Sequence, residues 1–119
     1  VIYAVPSWNN NHYSYLTSAK AVVIEVSQEN NFLPTAADLT PHLDGAVLVA
    51  LCSPLNPTGT MFTKEQLPEI CEAIIAENKK RKELFSKKHY KIKLLILVKT
   101  NKSGRSVDLL GAMRRMFLL

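Results

Sequence analysis

The chain has 119 residues, 47% of them apolar and 21% charged, an ordinary globular balance with room for one modest core. No apolar run approaches the roughly 20 residues that cross a bilayer. The opening Val1-Ile2-Tyr3-Ala4-Val5-Pro6 lacks the basic and apolar regions of a signal peptide, so a cytoplasmic protein with no membrane partner is expected.

The net charge of +5 is concentrated between residues 79 and 93. Lys79-Lys80-Arg81-Lys82 and Lys87-Lys88 read as the solvated basic end of a helix, where cations meet the negative pole of the helix dipole. Aromatic residues are not interleaved among them for base stacking, and no nucleic-acid partner is expected. Cys52 and Cys71 have neither metal-ligand nor redox spacing and read as buried, reduced thiols; His42 and His89 form no metal-binding pair.

Extended and helical patterns alternate along the chain, which points to βαβ units and a mainly parallel sheet with helices on its faces. Residues 1–5 form the first strand. After a turn over 6–11, a short helix is expected over 13–19 from the spacing of Tyr13, Leu16 and Thr17, with an Asn-rich entry to cap it. The β-branched run 21–26 is the second strand, followed by a polar break over 27–31. Thr35 with Asp38 makes a capping-box-like start for a weak helix over 35–43, cut to about a turn by Pro41 unless it restarts there.

Residues 46–52 are apolar at every position, the pattern of a central strand covered on both faces. Ser53-Pro54-Leu55-Asn56-Pro57-Thr58-Gly59 then leaves the strand's carboxyl end as an irregular loop, the place where open α/β sheets usually bind ligands. Asn56 is its polar group, and Gly59 is expected at positive φ or at a close backbone approach. The longest helix starts at Thr63, with Gln66 at the reciprocal capping position and Leu67, Ile70, Cys71, Ile74 and Ile75 on one face. Pro68 falls early enough not to break it. Residues 91–98 form a fourth strand.

Asn56-Pro57-Thr58-Gly59 followed by the helix start Thr63-Lys64-Glu65-Gln66-Leu67 resembles the signature loop of the fold-type-I pyridoxal-phosphate aminotransferases, the class I/II, aspartate-aminotransferase-like family. Val5-Pro6-Ser7-Trp8-Asn9-Asn10-Asn11-His12 is similar to the proline-aromatic segment that precedes this loop by about fifty residues in the same enzymes. The resemblance covers residues 1–98. It implies a three-layer αβα fold with residues 1–98 as part of the cofactor-binding large domain and 99–119 as an unplaced tail.

The resemblance also implies pyridoxal 5'-phosphate as cofactor, an amino acid and a 2-oxo acid as substrates, and a homodimer. Asn56 corresponds to the asparagine that hydrogen-bonds the ring's 3′-oxygen, which favours the ionised form of that oxygen without adding charge. Trp8 corresponds to the aromatic residue that stacks over the ring. Pro57 and Pro6 correspond to prolines that follow cis peptide bonds in some relatives. Ser7, His12 and Tyr13 lie beside Trp8 and read as solvated or capping groups.

The departures from the family carry an expectation of their own. Relatives end the strand after the long helix in an aspartate for the pyridine nitrogen, closely followed by a tyrosine; this chain has Val98-Lys99-Thr100-Asn101-Lys102. Asp108 lies ten residues beyond Val98 with no tyrosine after it. Neither the lysine that anchors the cofactor nor the phosphate cradle has a counterpart among these residues. The chain alone is therefore expected not to transaminate.

In the tail, Leu109, Leu110, Met113, Met116 and Phe117 have helical spacing. The alternative reading is a non-catalytic remnant or interaction module that binds a partner through an exposed sheet edge or the basic segment 79–93.

Overall fold

The computed structural model describes residues 1–8, 10–84 and 91–98. The expectations for Asn9, Lys87, Lys88, His89, Asp108 and the tail over 99–119 lie outside them. Four strands, β1 (Ile2–Val5), β2 (Val22–Glu25), β3 (Leu48–Ser53) and β4 (Lys93–Val98), make one sheet in the order β2-β1-β3-β4, and every pairing is parallel. Ile2 lies level with Val22 on one side and Val49 on the other, and Leu48 to Ser53 run in register with Lys93 to Val98. The chain thus runs outward from the centre in both directions, with its switch point between β1 and β3.

Parallel strands need crossovers, and these supply helices on both faces. α1 (His12–Thr17) links β1 to β2, α2 (Ala36–Leu39) lies between β2 and β3, and α3 (Gln66–Leu84) links β3 to β4. Ile2, Ile24, Val49 and Leu51 meet Leu39, Leu43, Leu67, Ile70 and Ile74 in the main core. Ile70 and Ile74 are almost fully buried, each contributing about 1.5–3 kcal/mol. Val1, Tyr3 and Ala50 form a smaller cluster against Tyr13 and Ala19. The fold is a three-layer αβα arrangement with one heavy and one light outer layer.

Local chemistry explains the element ends. Thr35 and Asp38 form the full reciprocal box, with Thr35 N–H donating to Asp38 Oδ2 at 2.8 Å and Asp38 N–H to Thr35 Oγ1 at 3.2 Å. A 3-10 turn, Thr40–His42, restarts the chain at Pro41. Thr63 and Gln66 form the second box: Thr63 N–H donates to Gln66 Oε1 at 2.9 Å and Gln66 N–H to Thr63 Oγ1 at 3.2 Å.

Several positions differ from the sequence pattern. α1 packs only through Tyr13, while Leu16 is 76% exposed, because a six-residue helix on the light side has little to lean against. Asn11 caps it without a side-chain hydrogen bond. Ile75 and Val47 are 42% and 45% exposed, one on the shoulder of the apolar stripe of α3 and one before β3 begins.

The larger correction concerns Arg81, which is buried and not part of a solvated basic end. Its Nη1–H donates to Ala46 O at 2.7 Å, its Nη2–H to Leu43 O, and its Nε–H to Glu77 Oε1 at 3.0 Å. Asn78 joins the same seam: its Nδ2–H donates to Ile92 O at 3.3 Å, and its Oδ1 accepts from Ile92 N–H at 2.7 Å. Together they fasten α3 to the turn before β3 and to the start of β4. Cys52 and Cys71 are free and buried, as their spacing predicts.

Candidate functional site

Two loops leave the sheet at the switch point, one after Val5 and one after Ser53. The second is closed on itself. Leu55 is buried and anchors it; Leu55 N–H donates to Thr60 O at 2.7 Å, and Gly59 N–H donates back to Leu55 O at 2.7 Å. Gly59 has φ +77, a conformation that costs any residue with a Cβ about 1–2 kcal/mol. The Thr58 and Thr60 hydroxyls share a hydrogen bond at 2.8 Å. Phe62 N–H reaches back to the buried Ser53 Oγ at 3.4 Å, pinning the loop's far end to the strand it left.

The first loop is pinned in a similar way. Asn10 N–H donates to Ser7 Oγ at 3.3 Å, and Tyr13 N–H donates to Asn10 O at 3.4 Å, which turns the chain into α1. Among the described residues one hydrogen bond joins the two loops: Trp8 N–H donates to Asn56 O at 2.9 Å. Segments about fifty residues apart in sequence thereby form one wall. The peptide bonds before Pro6, Pro54 and Pro57 are cis; those before Pro6 and Pro57 agree with the family resemblance, and the one before Pro54 was not foreseen.

The side chains on this wall remain available. Trp8 is 71% exposed, so it is no core tryptophan, and its ring presents itself to solvent while its backbone is held. Asn56 spends its carbonyl on Trp8, yet its side-chain amide bonds to no other described residue, and the residue is exposed. Pro57, also exposed, follows it with φ fixed by its ring. Neither loop carries a charged residue between Val5 and Asn11 or between Ser53 and Phe62. The wall offers one aromatic face and one neutral hydrogen-bonding group, which suits a planar ring bearing an oxygen. Acid, base and nucleophile would come from elsewhere.

Asn10, which the sequence pattern passed over among three consecutive asparagines, is 2% exposed. Its Oδ1 has no hydrogen-bond partner among the described residues. It lines a small pocket beneath the two loops, with Phe32, Leu33, Leu55 and Phe62. Ser7 acts as a local acceptor, and Tyr13 packs on the light side of the sheet.

Residues 1–79 match the family model described as aminotransferase class I and II. The histidinol-phosphate aminotransferase of Haloferax volcanii is 39% identical over 54 residues, 45% of this chain and 15% of that protein. The aspartate aminotransferase of Bacillus sp. (strain YM-2) is 32% identical over 80 residues, 66% of this chain and 20% of that protein. The matched stretches therefore span only a fifth or less of these relatives. The family match includes both loops of the switch point and β1 and β3, the strands that carry them, and covers most of the described residues. The chain belongs to the class I and II aminotransferase family.

Proposed function

We propose that these residues are the central part of the large domain of a pyridoxal-phosphate-dependent aminotransferase. The intact enzyme would move an amino group between an amino acid and a 2-oxo acid, as a homodimer in the cytoplasm. The observation that carries this reading is the hydrogen bond from Trp8 N–H to Asn56 O, which fixes an exposed indole and an uncommitted amide side by side at the switch point. Both cysteines being free fits a reducing compartment.

Trp8, Asn56 and Pro57 fit the cofactor. When bound, pyridoxal phosphate supplies the electron sink for bonds broken at the amino acid's α-carbon. Asn56 would donate its amide to the ring's 3′-oxygen and favour the ionised form of that oxygen. Trp8 would lend a face for offset stacking, and Pro57 stiffens the backbone beside Asn56. The neutral character of both loops leaves the ring's protonation to groups outside this wall.

Taken alone, the chain would offer contacts for the ring's oxygen and face without a counterpart of the aspartate and lysine on which the family's chemistry depends. On this reading it would not transaminate by itself. Dialysed after incubation with pyridoxal phosphate and borohydride, the 119-residue chain is expected to keep no stoichiometric visible or near-ultraviolet absorption from the cofactor. Retained stoichiometric absorption would show that one of its own lysines bonds the cofactor, and would overturn the claim that the anchoring lysine has no counterpart here.

A further inference from the structure

We propose that the pocket beneath the two loops is a hydration site, in which one ordered water donates a hydrogen bond to Asn10 Oδ1. A buried carboxamide oxygen left without a donor costs about 1–3 kcal/mol, so buried polar atoms are satisfied by protein or by ordered water in nearly every native structure. Asn10 Oδ1 has no protein donor among the described residues, and the residue is 2% exposed, so the side chain sits inside the protein and not in solvent.

The pocket's interior is about the size of a single water. Phe32, Leu33, Leu55 and Phe62 give it apolar walls with no charged group, which excludes an ion on desolvation grounds. Cys52 supplies the second polar side chain. Its thiol donates to Pro54 O at 3.2 Å, which leaves the sulfur lone pairs as a weak acceptor for the water's other hydrogen. Exchanging the oxygen and nitrogen of the Asn10 amide would leave a donor in the same place, and a water would satisfy that equally.

The water would bridge the loop carrying Trp8 to the strand end that carries the Asn56 loop, a second tie beneath the backbone bond above it. This inference does not depend on the reaction the intact protein performs.

The test is a high-resolution crystal structure of the whole chain, together with water-oxygen magnetic relaxation dispersion on the wild type and Asn10→Leu. Expected are density within hydrogen-bond distance of the Asn10 amide and one long-lived internal water fewer in the variant. Should the variant fail to fold, the crystal density decides alone. An empty pocket, an Asn10 amide turned to a protein partner, or equal dispersion from the two proteins overturns the proposal.

Discussion

Asn78 and Asn56 carry the same carboxamide, and the fold uses them in opposite ways. Asn78, half-buried on α3, gives both its oxygen and its nitrogen to the main chain of Ile92. Asn56, exposed after β3, gives only its backbone carbonyl to Trp8 and keeps its amide unspent. The seam at the amino end of the sheet is thus a region where polar groups finish their work within the protein. The loops at the carboxyl end are held by backbone bonds, yet the Trp8 and Asn56 side chains stay exposed and uncommitted. A rigid backbone with unspent side chains is what a binding wall requires.

Substitutions separate the two regions by the size of their effect on stability. Arg81→Ala is expected to cost the most, about 3 kcal/mol, because it leaves two buried carbonyls without their donor and leaves Glu77 with the exposed Lys80 as its cation partner. Urea unfolding measures this, and a loss below about 1 kcal/mol would mean that water replaces the guanidinium at little cost. Asn78→Ala should follow at about 2 kcal/mol, as the Ile92 N–H and C=O lose their partners together.

Cys71 contributes a smaller, pH-dependent effect. Burial foremost, and then the neighbouring Glu72 charge, push its thiol above its ordinary pKa of 9.0. The unfolded chain then ionises first, so stability is intact below about pH 9 and falls as pH rises through the thiol's folded value. Cys71→Ser should flatten that alkaline decline relative to wild type in thermal melts. Asn56→Ala comes last, within about 0.5 kcal/mol of wild type, since no protein partner loses a bond. A large loss there would erase the contrast between the two asparagines.

Most of this architecture is legible in the sequence. The uninterrupted apolar run of β3, the Thr35 and Thr63 capping boxes and the glycine after Asn56-Pro57-Thr58 each have a local cause that one dimension records. What stayed hidden depended on the third. Arg81 sits among lysines and looks solvated, although it continues the buried register of Ile70 and Ile74 on α3; that register was the available signal. Nothing in three successive asparagines says which one turns inward, and only packing singles out Asn10. Leu16 and Ile75 have the right period but no facing layer, so their apolar side chains stay exposed.

Family likeness assigns Trp8 and Asn56 to one cofactor, while the bond between them is seen only in the fold, since no periodicity links residues so far apart. Its chemical meaning is tested most directly in an intact enzyme containing these residues, by following the pH titration of the bound cofactor's visible absorption. Asn56→Ala is predicted to move that titration upward by about one pH unit, the equivalent of one hydrogen bond to the ionised ring oxygen. A titration identical to wild type would contradict the assignment of Asn56 to the cofactor and, with it, the reading of the switch-point loops as the cofactor's wall.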